Sequence, residues 1–159
     1  MILSDAKIIE VIKDGRMKIE PENEIHLTPN GIDFCIGDEV AIIKRGGAYK
    51  SKRIKLADQI KVEPDTIMLA ATREVMTLGN GIVGLVGIRS SYARRGFTCS
   101  PTIIDAGYSG RLTLQLRTPP YPVTISKGER VWHIVFFDSY PSSRPYNGRY
   151  QGVLNLAEG

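Results

Sequence analysis

A chain of 159 residues suffices for one domain with a substantial core, and no second domain is expected. Hydrophobic residues at 42% and charged residues at 24% are those of an ordinary soluble globular protein, and Met1-Ile2-Leu3 is too short for a signal peptide, so the expectation is a cytoplasmic protein with no membrane partner. The net charge of +4 comes from Lys and Arg that are scattered apart from two groups, residues 89–95 and Lys44-Arg45 with Lys50 to Lys55, so no nucleic-acid partner is expected.

In chain order, Ser4-Asp5 followed by AKIIEVIKDG predicts an amphipathic helix with Ser4 or Asp5 at its start. Ile8, Ile9 and Ile12 lie on one face, and Gly15 falls where a left-handed terminator is wanted. Short β-rich runs broken by Gly, Pro, Asn and Asp follow: MKIEP, GIDFCIG, EVAII, QIKVEP, TIMLAAT, GIVGLVGI, TCSPTII, RLTLQLRT, PVTIS and RVWHIVFF. A short helix at residues 90–95 interrupts them. There is no βαβ alternation and no internal repeat, so the spacing predicts an all-β protein, a distorted β-barrel or jelly roll with a short N-terminal helix and one short internal helix. Residues 1–138 form the predicted β-rich domain. Residues 139–159, rich in Pro, Ser, Gly and Tyr, read either as a loosely held tail or as a flap that closes over a ligand. Cys35 and Cys99 read as buried free thiols, too few for a zinc cage. Scarce Asn and Gln beside plentiful Ile, Arg and Lys hint at a hot-growing source.

The chemistry concentrates in GIRSSYARRGF (87–97) and TIIDAGYSGRLTLQL (102–116). Arg89, Arg94 and Arg95 offer forked donors to phosphate oxygens, while Ser90, Ser91 and nearby backbone N–H groups can hold an anion without formal charge. Asp105 stands alone at the mouth of a Gly-rich turn. A carboxylate beside a polyphosphate site repels the ligand, so its natural use is to take a proton from attacking water. The alternative is a solvated basic turn beside an Asp-Gly-type hairpin.

RSSYAR, IDAGYSG, GERVWHIVFF (128–137) and PYNGRYQG (145–152), with the opening MILSD and GIDFCIG (31–37), resemble in order the dUTPase and dCTP deaminase superfamily. The likeness covers most of the chain and is greatest to archaeal-type dUTPases, which have a deaminase-like backbone. It implies a dUTPase-like β-clip fold, dUTP as substrate, magnesium as cofactor, and a homotrimer with sites between subunits. It places Asp105 as the water-activating carboxylate. Arg89, Ser90, Ser91 and Arg94, with Arg149 and Gln151 from the tail, would bind phosphates. Ile104, Ala106, Tyr108, Gln115 and Tyr150 would surround the nucleoside, with Tyr108 against the sugar. Asp33 would reach magnesium through water. Other readings stay open: Asp33 as a turn residue, Arg94 as a pin between the short helix and the barrel, and Tyr108 as a hairpin-tip aromatic.

Three departures bear on the branch. The deaminases use a Glu ten residues after the motif Asp, where this chain has Gln115, whose amide cannot shuttle a proton. His133 stands where the fourth motif usually has Gln, and Val153 follows YQG where deaminases tend to carry Gln. The expected activity is hydrolysis of dUTP to dUMP and pyrophosphate. The alternatives are dCTP deamination, alone or coupled to hydrolysis, and a non-catalytic β-barrel that binds nucleic acid.

Overall fold

The computed structural model describes residues 1–44, 46 and 50–158; Arg45 of the second basic group lies outside them. Helix α1 (Asp5–Lys13) is capped by Ser4, whose hydroxyl accepts from the Lys7 N–H, and Gly15 follows it at φ +79°. Its buried residues are Ile8 and Val11, whereas Ile9 is 41% exposed. The three isoleucines therefore do not form one buried face. Positions 8 and 11, one turn apart, point at the sheet, and Ile9 is rotated about 100° away from Ile8.

The strands are β1 (Met17–Glu20), β2 (His26–Thr28), β3 (Gly31–Ile43), β4 (Ser51–Lys55), β5 (Gln59–Val62), β6 (Ile67–Leu78), β7 (Ile82–Ile88), β8 (Thr102–Ile104), β9 (Ser109–Arg117), β10 (Val123–Ser126) and β11 (Arg130–Asp138); α2 (Ser90–Ala93) follows β7. They form a curled, all-antiparallel sheet in the order β1-β6-β3-β11-β7-β8, with β2 and β4 also on β3 and β9 on β6, beside a β5–β10 pair. The expected all-β architecture with two short helices is present.

Two expected strands, GIDFCIG and EVAII, are one. Gly37-Asp38 reads as a break, but both residues fall in a bulge where the β3–β6 register jumps from Ile36↔Thr72 to Val40↔Ala70. Gly37 permits the close approach there, since a Cβ would sit 2.9 Å from the Ala71 carbonyl oxygen. A matching irregularity in β6 lies between Ala71 and Val75. These bulges bend the sheet into a half-barrel. Strand β6 runs past the expected end because Glu74 is satisfied though buried: Arg73 donates to it at 2.7 Å and the Cys35 N–H at 2.8 Å. Trp132, Phe34, Phe97 and Phe136 fill the core.

The strand β11, flanked by β3 and β7, positions the site. Its Trp132, Ile134 and Phe136 face the core, so His133, Val135 and Phe137 point the other way. Register places Asp33 and Gly87 beside His133, Leu85 beside Val135, and Ile103 beside Leu85. The outer face is thus an apolar band of Val83, Leu85, Ile103, Val135 and Phe137 that ends in a polar cluster.

Candidate active site

Asp105 is exposed and begins a four-residue turn in which its carbonyl accepts from the Tyr108 N–H at 3.1 Å. Gly107 holds φ +88° at the third position, the backbone conformation that a type II turn requires there. The turn leads into β9 and forms one wall of a cavity of about 500 Å³. Ile104, Tyr108 and Tyr150 of the expected nucleoside group line it, together with Asp105. Tyr146 and Val153 of the tail line it too, with Arg111, Thr113 and Leu69, which nothing local in the sequence singles out. Tyr108 is buried, its ring edge-on to Tyr146 at 5.6 Å, and its hydroxyl donates to the Arg111 carbonyl. Burial, with the neighbouring Tyr146, pushes its phenol up to about 12, so it remains a neutral donor at physiological pH. Ala106 is buried and uses its carbonyl to accept from the Tyr146 N–H. Gln115 is not among the lining residues; its amide oxygen accepts from the Ser100 N–H at 2.8 Å.

A second cavity of about 570 Å³ is lined by Thr28, Asp33, Ile88, Arg89, Ser90, Ser91, Arg94 and His133. Here four of the six residues expected at phosphate come together: Arg89, Ser90, Ser91 and Arg94. Ser90, Ser91 and Arg94 are exposed. Asp33, in contrast, is 4% exposed and already engaged: one carboxylate oxygen takes Arg89 Nε at 2.7 Å, the other faces His133 Nδ1 at 3.0 Å, and Arg130 stands 3.9 Å away. Arg89 also donates from Nη1 to the Arg130 carbonyl. Three guanidinium groups, counting Arg94, surround or adjoin one carboxylate, so the cradle keeps a positive excess suited to an anion.

That arrangement does not fit a preformed magnesium site. Magnesium favours one or two accessible carboxylates together with substrate phosphates, whereas both oxygens of Asp33 are taken. Among the described residues no group of three His, Cys, Asp or Glu could hold a metal ion.

The two cavities share no lining residue. Ile104 pairs with Gly84, so Asp105 falls near Val83, whereas Arg89 follows the far end of β7. Six residues of strand separate the levels by roughly 20 Å. Within one chain, Asp105 and the serines of the cradle do not reach the same phosphorus.

The C-terminal segment is laid along its own hairpin rather than held loosely. Gln151 receives the Ser109 N–H on its amide oxygen and donates to the Gly107 carbonyl. Gly152 donates to the Ser109 carbonyl, and Val153 accepts from Arg111. Leu156 is buried, its N–H donating to Glu39, and Ala157 donates to the Thr113 hydroxyl. Gln151, expected at phosphate, thus serves the hairpin, and the Arg149 guanidinium lies over the Tyr150 ring at 5.7 Å. Neither lines the cradle of its own chain. The aperiodic, polar composition hides this packing because most of it is backbone hydrogen bonding.

The chain is a curled antiparallel half-barrel that carries a hairpin cavity and, apart from it, a cationic cradle. The chain belongs to the dCTP deaminase-like family, whose model matches residues 2–139. It is 36% identical over 152 residues to a probable deoxyuridine 5'-triphosphate nucleotidohydrolase of Sulfolobus islandicus rod-shaped virus 1, covering 95% of this chain and 93% of the relative. It is also 36% identical over 165 residues to a dCTP deaminase of Korarchaeum cryptofilum, covering 96% and 93%. Among solved structures, a dCTP deaminase from Agrobacterium tumefaciens superposes with a TM-score of 0.72 at 18% identity over 85% of this chain, which spans only 47% of that one. The Staphylococcus bacteriophage 80alpha dUTPase superposes with a TM-score of 0.56 at 16% identity over 87% and 99%. The relatives are nucleotide-metabolising enzymes of both activities. No helix among the described residues is long and apolar enough to cross a membrane.

Proposed function

We propose that the protein is a dUTP diphosphatase, acting at composite sites in which the hairpin of one subunit meets the phosphate cradle of the next. The observation that carries this reading is Asp105: an exposed carboxylate at the mouth of the hairpin cavity, with the non-titratable Gln115 ten residues on and turned to Ser100. Asp105 takes a proton from water as that water attacks phosphorus in line; the bond to the leaving phosphate oxygen breaks, giving dUMP and pyrophosphate. The cationic cradle stabilises the charge that builds on the phosphate oxygens. Tyr108 and Tyr146 wall the sugar and base, and the tail excludes bulk water. A magnesium ion carried by the triphosphate would neutralise part of its charge.

The subunit arrangement is supported by the outer band of β7, β8 and β11. Ile103 is 60% and Leu85 37% exposed, beside Val135 and Phe137. A contiguous apolar face of this kind marks an association surface, and the polar cluster at its end sets the cradle at the rim. A homotrimer is the proposed closed assembly.

The competing reading is dCTP deamination, favoured by relatives such as that of Korarchaeum cryptofilum. Deamination needs a group that carries a proton between water and the ring, and Gln115 cannot. Asp105→Asn tests the hydrolytic assignment: binding of a non-hydrolysable imido analogue of dUTP should persist while kcat falls on the order of 10²–10⁴. An unchanged kcat removes Asp105 from the chemistry.

A further inference from the structure

We infer that Asp33 is a positioning residue, holding Arg89 and His133 against the phosphate chain, and not a carrier of magnesium. The inference rests on the cradle being the phosphate half of the proposed site. Asp33 is buried in the β2–β3–β11 part of the sheet, with His133 directly opposite it in register and His26 opposite on the other side. A buried carboxylate persists as an ion only when paired and hydrogen-bonded. Its partners here are specific: Nε of Arg89 at 2.7 Å on one oxygen and Nδ1 of His133 at 3.0 Å on the other.

Each contact fixes the direction of a cradle residue. Holding Arg89 by Nε, while Nη1 reaches the Arg130 carbonyl, orients a planar guanidinium whose remaining edge is left for a ligand. The other carboxylate oxygen accepts from Nδ1, which places the imidazole proton there and fixes the ring. The ring in turn needs Gly31, because a Cβ at that position would lie 2.9 Å from His133 Nε2 and would clash with the Ile134 carbonyl oxygen. The carboxylate is therefore consumed as an acceptor of two donors. A hydrated cation would have to displace Arg89 or His133 to claim it, with two further guanidinium groups nearby to oppose its approach.

The decisive experiment compares the wild-type protein with Asp33→Asn. An amide offers one acceptor where the carboxylate offers two, and its N–H₂ faces a donor, so one of the two side chains loses its anchor. Calorimetry should show inorganic pyrophosphate binding in EDTA at least about tenfold weaker in the variant. The magnesium concentration that half-saturates binding of the imido analogue should stay unchanged. Unaltered pyrophosphate affinity in EDTA with a tenfold higher magnesium requirement would overturn the inference.

A measurement on the wild-type chain keeps the test independent of whether the variant folds. With only two histidines, long-range ¹H–¹⁵N spectra of the wild type and of His133→Gln assign the His133 ring. The proton should reside on Nδ1; a ring protonated only at Nε2 would refute the positioning role. If pyrophosphate binds and the Nδ1 proton is present but dUTP is not hydrolysed, the functional reading fails and the positioning role stands.

Discussion

Placing Asp105 and the cradle on different subunits has a countable consequence. Asp105→Asn removes the base from the hairpin half, and Arg94→Ala removes a donor from the cradle half; Arg94 is exposed and carries no ion pair among the described residues, so its loss should spare the fold. Alone, the first should reduce kcat on the order of 10²–10⁴. The second removes a charge-assisted hydrogen bond of about 1.5–3 kcal/mol, or roughly 10- to 100-fold in kcat/KM. The two variants, carrying different tags, are co-expressed and purified through both tags, so that every trimer is mixed. In a closed ring with each hairpin facing the next cradle, two copies of one variant and one of the other leave one intact pairing. Activity per protomer should therefore return to about a third of wild type. If both halves belonged to one chain, no pairing would be intact and the mixed trimers would be as slow as the parent variants. That result would refute the separation of roughly 20 Å drawn from the β7–β8 register.

Gly107→Ala should destabilise the protein by at least about 1 kcal/mol, because φ is +88° and the new Cβ would meet Pro145 Cβ at 2.7 Å; thermal denaturation, with limited proteolysis of the displaced tail, reads both effects. Truncation after Ser143 should abolish most turnover and also lower Tm, since it removes Tyr146 from Tyr108 and Leu156 from its buried site; a truncated protein with undiminished activity would exclude the tail from the site. Leu156→Ala alone should cost about 2–3 kcal/mol in chemical denaturation, and a loss below 0.5, taken as roughly the scatter for surface substitutions, would mean that the packing is not maintained in solution. Light scattering should give a trimer mass, and Leu85→Glu with Ile103→Glu in the apolar band should shift it to a monomer.

Much of the fold was legible because it is local. Alternating apolar residues in β9 and β11, the Ser4 cap and Gly15 each announce themselves within a few residues. The strands β2 and β4 were not legible: His26-Leu27-Thr28 is too short for a period, and Ser51–Lys55 reads as basic surface although it pairs with β3. Ile9 shows the limit of counting apolar residues in a short helix, where a shift of one position separates core from solvent. At the site, the hairpin and the RSSYAR cradle carried residue signatures. The Asp33–His133 contact bridges 100 positions and had no local signal. The docking of the tail runs through the backbone groups of Ala106, Gly107, Ser109 and Arg111, and apart from the glycine that admits Pro145 these positions carry no side-chain signature of it.

One product analysis addresses the reaction itself. Purified protein with magnesium is incubated separately with dUTP, dCTP and dTTP, the nucleotides are resolved by chromatography, and ammonia is assayed in parallel. A dUTP diphosphatase gives dUMP and pyrophosphate from dUTP, with neither dUTP, dUMP nor ammonia arising from dCTP. Release of ammonia from dCTP at a rate comparable to dUTP hydrolysis would contradict it, and would show that deamination proceeds without a titratable group at position 115.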